Sequence, residues 1–574
     1  MTDGHWDTPG EGEAQVNGAD ARAEEGATEV SDEEAMPSKP FYAMAKRWQE
    51  GEADEDLETE LYGDVNLIDV EQFESIAVKV YGEDQPEAMK SFEDYPWHET
   101  LKANIGLMKY KSPMPIQQYG IPVLLAGRDL MGCAQTGSGK TAAYVLPILQ
   151  KMLKKGKDKL RGGPELLQGR GVTATPFAVV LAPTRELCAQ IFDDIRKFAY
   201  RTWVRPFALY GGVKTRETMD FLDQHGCDFL VATPGRLKDM LQRKKISFAK
   251  VKFLVIDEAD RMLDMGFEAD IEELIKRTDM PQDESRQTAM FSATFPKDVR
   301  RLGREYLGDL ILLTVGTVGK IPASLHQQIL FVEDGEKRDK LLELLWGQEA
   351  QLTLIFASTK KMVDHLDDFL YSKEFPVTSI HAGRDQKERE DALTAFRSNI
   401  KLIMVATDVL GRGMDIPNVS HVIQYDLPKG IDDYIHRIGR TARAGHEGKA
   451  TSFYNDSNRD LAADITALLK DDEIPEFLQE FVSAETKEQR SHEELREEDL
   501  EGPLERERPA ADTGESGGGD WAAEGNAGGG DWASSAAEPG EGGGGDWNGG
   551  GGGGGADGDD WNAGGDAGGD AGGW

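Results

Sequence analysis

Cysteine is scarce in this chain: Cys133, Cys188 and Cys227 are the only three among 574 residues, and no Cys-x-x-Cys or Cys/His metal spacing occurs. That excludes a disulfide framework and implies a reducing compartment. Long apolar runs are missing too. None approaches the roughly 18–20 residues needed to cross a bilayer, and the acidic first residues contain no apolar signal-peptide core. A soluble, cytoplasmic protein without a membrane partner is expected, with the nucleus as the other compartment. Residues 511–574 have 27 Gly and five Trp but no Lys, Arg, Leu, Ile, Val, Phe or Tyr. Such a segment can neither build a core nor grip phosphate.

The shortage of positive charge is local. The formal net charge is -39, from 104 acidic and 65 basic residues, which taken whole argues against a polyanionic partner. Residues 1–90 hold 25 acidic and 6 basic side chains, and residues 491–574 hold 21 and 3. Subtraction leaves 58 acidic and 56 basic for residues 91–490, a nearly neutral body with cations enough for a positive groove.

At roughly 150 residues per domain, the length allows two or three compact domains plus tails. Residues 1–66 are expected to be a disordered acidic tail, too poor in clustered apolar side chains to offset the entropy of ordering. Within them the aromatic island Pro40–Trp48 is at most a partner-binding segment. Short apolar runs alternating with amphipathic stretches then read as strands buried on both faces between crossover helices. Asp129–Cys133, Ala178–Ala182, Phe229–Ala232, Phe253–Asp257 and Thr288–Phe291 belong to a first α/β domain, residues 67–314. A Gly- and Pro-containing linker, 315–324, leads to a second over residues 325–482, with strands at Leu352–Phe356, Val377–His381, Leu402–Ala406, His421–Tyr425 and Ala450–Phe453. Residues 483–574 are expected to be a disordered Gly/Asp/Trp-rich tail.

Ala134-Gln-Thr-Gly-Ser-Gly-Lys-Thr141 follows a strand and opens a helix. In a phosphate loop, small residues such as Gly137, Ser138 and Gly139 let the backbone N–H groups, with that of Thr136, face phosphate. Lys140 reaches the β/γ oxygens and the Thr141 hydroxyl binds Mg²⁺. Asp257-Glu258-Ala259-Asp260 ends another strand, so one carboxylate can hold Mg²⁺ through water while the next orients or deprotonates the attacking water. Without the phosphate loop these acids would pass for the solvated start of a helix.

Carrying these motifs, the chain resembles the DEAD-box RNA helicases over roughly residues 73–482. Asp257–Asp260 spells the family's name motif. The resemblance implies two tandem RecA-like parallel-sheet domains and an ATP-dependent RNA helicase whose cofactors are ATP and Mg²⁺ and whose partner is RNA, acting as a monomer. Phe92, 25 residues before Gln117 of Pro113-Met-Pro-Ile-Gln117, is similar to the aromatic of the adenine-reading Q motif, stacking on the purine while the Gln amide reads its edge. Thr184 and Arg185 of Pro183-Thr-Arg-Glu-Leu187, Gly212, and Thr233, Gly235 and Arg236 of Thr233-Pro-Gly-Arg236 are implied as RNA-backbone contacts, which read no sequence. Ser292 and Thr294 of Ser292-Ala-Thr294, with His436, are implied as the coupling between hydrolysis and strand separation. In the second domain Thr359 and Thr407 are implied to touch RNA and Asp415 the ATP ribose. Arg437 and Arg440 of His436-Arg-Ile-Gly-Arg-Thr-Ala-Arg443 are implied to neutralise γ-phosphate charge held on the other domain, making Glu258, Lys140, Arg437 and Arg440 the catalytic set.

Phe73–Gly82, Asp264-Met-Gly-Phe267, the segment between Phe375 and His381, and Ile431 to Phe477 look most like the Vasa and related translation-helicase branch, which fits ribonucleoprotein granules of the cytoplasm. Departures are Ala442 where the family usually has Gly, Ala382-Gly383 after His381, and Val409-Leu-Gly411. The alternatives are an ATP-gated RNA clamp and granule scaffold, or a DNA translocase. In the tail, Asp-Trp pairs end at Trp521, Trp532, Trp547 and Trp561, with Trp574 after Gly573. They resemble the Gly-Trp hooks that bind Argonaute-type proteins, against a plainer role as nonspecific stickers.

Overall fold

The computed structural model describes residues 46–63, 65, 76–135, 137–161, 174–282, 285–316, 324–408, 419–442, 447–469 and 474–481. Thr136, Asp415, most of the expected linker and the Trp tail fall outside the described residues. In chain order the first lobe holds β1 (Val78–Tyr81), β2 (Asp129–Cys133), β3 (Ala178–Leu181), β4 (Pro206–Leu209), β5 (Phe229–Ala232), β6 (Phe253–Ile256), β7 (Gln287–Ser292) and β8 (Leu310–Val315). The second holds β9 (Leu325–Phe331), β10 (Thr353–Phe356), β11 (Val377–Ile380), β12 (Ile403–Ala406), β13 (His421–Gln424) and β14 (Gly448–Tyr454).

The first sheet runs β1-β8-β2-β7-β6-β3-β5-β4 and the second β11-β12-β10-β13-β14-β9. Among the described strands only β1 is antiparallel to its neighbour, Val78 pairing with Val315. Every residue of β2, β3, β5 and β6 is buried, which is why these strands are continuous apolar runs rather than alternating ones. Crossover helices cover the faces. Both lobes start a helix with a threonine just after a strand: Thr184 Oγ1 accepts from Leu187 N at 3.3 Å, and Thr359 Oγ1 from Met362 N at 3.2 Å. Each hydroxyl satisfies one orphan N–H at the C-terminal edge of its sheet.

The expectation of disorder through residue 66 fails for residues 46–63. Helix Glu55–Tyr62, capped by Asp54, buries Leu57, Leu61 and Tyr62 against the first lobe. Trp48 Nε1 donates to Thr202 O at 2.8 Å, Tyr62 Oη to Lys197 O at 2.6 Å, and Arg196 pairs with Glu60 at 2.9 Å. The aromatic end of the island Pro40–Trp48 thus meets its own chain. Leu57 and Leu61 lie one helical turn apart, and burying each stabilises by roughly 1.5–3 kcal/mol, enough to hold a short segment whose composition alone reads as unfolded.

Candidate active site and nucleic-acid interface

The phosphate loop rises from β2 between β7 and β8. Ala134 N donates to Ser292 O at 3.1 Å, so the loop is tied to the end of β7 and to the Ser292-Ala-Thr294 segment. Gly137 and Gly139 have φ of 80° and 84°, the left-handed region. At Gly139 crowding adds to backbone demand: a Cβ would come within 2.4 Å of Gln117 Nε2 and 2.8 Å of Met114 Sδ. Gln117 Nε2 donates to Gly139 O at 3.1 Å, and its Oε1 accepts from Met114 N at 2.9 Å. The Gln117 amide therefore braces the loop, using one donor and one acceptor that the sequence reading assigned to the purine. Gly139→Ala should displace Gln117 and raise the KM for ATP at least about tenfold, near the 1.4 kcal/mol of a modest backbone strain. Steady-state ATPase kinetics at saturating RNA checks this.

Phe92 is the other Q-motif residue and is only 5% exposed, packed on Tyr110 at a ring distance of 5.8 Å. Its burial is on the same scale as that of Gln117, Lys140 and Glu258, so the ring is packed beside the loop that Gln117 braces. Lys140, first residue of helix Lys140–Lys155, is buried and donates to Ala134 O at 3.0 Å. Ser138 Oγ donates to Gln135 O at 2.6 Å. Thr141 follows Lys140 at the helix start.

Asp257 and Glu258 leave β6 beside Lys140. Glu258 has φ 53° and ψ 56°, a left-handed conformation costly for a non-glycine residue. That bend turns its carboxyl into the interior, where Glu258 Oε2 has no hydrogen-bond partner. Burial pushes the Glu258 carboxyl up to about 7, with Asp260 and Asp257 adding to the rise and Lys140 and Arg440 opposing it. Burial also raises Asp257, against the pull of Lys140. Tyr144, fully buried, donates its Oη to Asp257 Oδ2 at 2.9 Å and holds that carboxylate in place. Sequence reasoning missed Tyr144; its spacing of one turn after Lys140 was the available signal.

Asp260 joins the lobes. Its Oδ2 accepts from Thr294 N at 3.0 Å and Thr294 Oγ1 at 2.9 Å, and it lies 3.8 Å from His436 Nε2 of the second lobe. Ser292 is buried at the end of β7. Arg261, also missed, donates to Asp408 O across the seam at 2.8 Å and approaches Asp433 at 3.6 Å. The two arginines expected at the γ-phosphate divide. Arg437 Nε donates to Asp408 Oδ1 at 2.7 Å and Nη1 to Asp426 O at 2.7 Å, with its guanidinium over Phe356. Arg440, buried, donates from Nε to His436 O at 3.1 Å, and its charge is among those that oppose the rise of Glu258. Ala442, the exception to the family's glycine, has φ 56°, so the position is one where glycine is at ease.

The expected RNA contacts gather at the carboxyl ends of the strands. Gly235 is exposed, while Thr184, Arg185, Thr233 and Thr359 stand at helix starts there, and Thr407 N donates to Ile380 O at 3.3 Å. Arg185 packs against Gly211 and Gly212, where a Cβ on Gly212 would meet its Nη1 at 2.5 Å. Arg236 is turned inward, donating to Thr215 Oγ1 at 3.0 Å and Asp239 Oδ2 at 3.1 Å, so it supports the neighbouring helix rather than facing outward. Glu186 and Arg389 form a buried ion pair between the lobes, another element the sequence did not disclose. His381, where the family pattern is broken, is fixed by Asp364 at 2.8 Å and by Gly383 N at 3.0 Å.

Fold and site together define a two-lobed P-loop nucleotide hydrolase, its acids and phosphate loop on one lobe and its arginines on the other. The model of the DEAD/DEAH box helicase matches residues 114–302, and that of the helicase conserved C-terminal domain matches residues 336–445. The S. cerevisiae Dbp5 structure bound to RNA and ADP BeF3 is 29% identical, with a TM-score of 0.57, over 67% of this chain and 94% of that one. A variant of Dbp5 with the same ligands is 30% identical over the same shares, TM-score 0.57. The DEAD-box helicase Mss116 bound to ssRNA and UDP-BeF is 26% identical, with a TM-score of 0.59, over 70% of this chain and 83% of that one. The chain belongs to the DEAD-box RNA helicase family, and it is an RNA-binding, ATP-dependent helicase.

Proposed function

We propose that the lobes close on ATP and single-stranded RNA, that the closed cleft accepts only a bent, unpaired strand, and that hydrolysis with phosphate loss reopens it. This unwinds short duplexes or remodels ribonucleoproteins with little sequence preference. The observation that carries the reading is Asp260, one carboxylate bonded to Thr294 and 3.8 Å from His436, so that the nucleotide site and the seam between lobes share a group. The unpartnered, buried Glu258 Oε2 beside Asp257 fits a water and a divalent cation. Mg²⁺ there, held by Thr141 and by Asp257 through water, would supply charge neutralisation on the phosphates. Lys140 anchors the phosphates, Glu258 orients the attacking water and accepts its proton, and Arg440 opposes the charge that develops. Arg437, bonded to Asp408, positions that helix.

The residues that look like the Vasa branch support a monomeric helicase of cytoplasmic ribonucleoprotein granules. A DNA oligonucleotide should stimulate ATPase at least about tenfold less than RNA of the same sequence, while permuting the RNA sequence changes stimulation less than about twofold. Equal stimulation by DNA would favour a DNA translocase.

For the tail, isolated Trp anchors on a Gly-rich chain suit multivalent capture by shallow aromatic pockets, and an Argonaute-type protein is the proposed partner. Replacing all five Trp by Ala should abolish pull-down of such proteins. Capture that survives the replacement rules the hooks out, whatever happens to granules.

A further inference from the structure

Behind the edge strand β4, far along the sheet from the phosphate loop, the docked segment Lys46–Glu50 forms one wall of a cleft of about 280 Å³. Its lining holds Lys46, Arg47, Lys157, Arg161, Arg196 and Arg205, with Glu50 the only acid among the lining side chains. Charge pairing around it is incomplete. Lys46 has Asp54 at 2.8 Å, Lys157 has Glu50 at 3.3 Å, and Arg196 has Glu60 at 2.9 Å and Asp193 at 3.6 Å. Arg161 and Arg205 share the single buried carboxylate of Asp228, each through two nitrogens, and donate further to Trp203 O and His225 O, so two cations stand against one acid. Arg47 has no carboxylate within ion-pair distance among the described residues: it donates to Pro206 O at 3.3 Å and lies over the Phe221 ring at 5.1 Å.

We propose that this cleft binds a small phosphate-bearing anion, a diphosphate or similar, gripped by Arg47 and by the half-compensated Arg161–Arg205 pair, with Lys157 at its mouth. Guanidinium groups bind phosphate through paired N–H donors, and three of them line one cavity. The volume sits at the low end for small-molecule sites. A wall made by Lys46–Glu50 also gives the anion a consequence, because it bridges that segment to the first lobe and so fastens the segment down. The local field agrees: burial with the repulsion of Arg205 and Arg196 holds Arg47 down to about 10, and burial with Arg47 and Arg205 lowers His225.

The test uses the full chain carrying Lys140→Ala, which disables the phosphate loop, in equilibrium dialysis against labelled pyrophosphate at constant ionic strength. One pyrophosphate per chain is expected, with affinity at least about tenfold lower once Arg47→Ala is added. Pyrophosphate should also slow trypsin cleavage within residues 46–63 several-fold. Because Arg47→Ala can loosen the segment by itself, Lys157→Glu provides a second variant, on the lobe side of the mouth; it should weaken binding while leaving RNA-stimulated ATPase of the otherwise unaltered protein unchanged. No bound pyrophosphate, or equal binding in both variants and their parent, overturns the proposal. Displacement of pyrophosphate by single-stranded RNA would overturn it as well, giving the cleft to nucleic acid.

Discussion

Lys140→Ala lowers RNA-stimulated ATP hydrolysis by at least about 10²–10³-fold, the scale for losing one preorganised group aimed at developing charge. Two effects combine. The anchor for the phosphates is lost, and the cation that opposes the rise of Asp257 and Glu258 disappears from between them. With Lys140 gone, the buried carboxyls hold their protons more tightly and Glu258 is a poorer acceptor at neutral pH. Rapid-quench measurement of phosphate release, with circular dichroism to verify folding, checks the result. Turnover within a few-fold of the parent in folded protein would remove Lys140 from the site.

Glu258→Gln separates binding from chemistry. The side chain keeps its size in the left-handed bend after β6 but can no longer accept a proton, so kcat falls by about 10²–10⁴-fold while nucleotide affinity is retained. With hydrolysis stalled, the lobes stay closed and RNA dissociation in the presence of ATP slows well below that of the parent. Stability moves the other way. The Glu258 carboxyl is raised by burial, so above its unfolded pKa its ionisation opposes folding, and the opposition grows until the pH passes the folded value of about 7. The neutral amide removes that penalty at neutral pH, and a melting temperature equal to or above the parent's is expected. A variant that hydrolyses ATP normally, or that releases RNA as fast as the parent, would take Glu258 out of the catalytic role.

Much of this site was legible in the sequence because its chemistry is local. Gly137 to Thr141 and Asp257 to Asp260 are contiguous, and buried parallel strands leave apolar runs that end where the motifs begin. The turn from strand to helix follows from those few residues, as do the threonine caps at Thr184 and Thr359. The roles of side chains that meet partners far along the chain were not legible. Phe92 reads equally as a base-stacking ring or a core ring, and its contact with Tyr110 comes only with the fold. Gln117 has the same two donors and two acceptors in either role, and only the approach of Gly139 decides where they point.

Arg437 and Arg440 are close in sequence and share the same chemistry, but the helix ends at Ile438, so Arg437 is on it and Arg440 lies just past its cap. Asp408, 29 residues from Arg437, takes that guanidinium, while the charge of Arg440 is felt at Glu258 of the other lobe. Residues 46–63 make the same point for folding. Their composition is that of a disordered tail, and their order comes from Tyr200, Thr202 and Arg196, roughly 150 positions away. The sequence by itself determined the two sheets, the phosphate loop and the acids, because these depend on periodicity and on neighbours within a few residues. Only the tertiary structure decided which partners Arg437 and Gln117 take and where the N-terminal segment rests, because burial and hydrogen-bond partners are set by contacts that no local window contains.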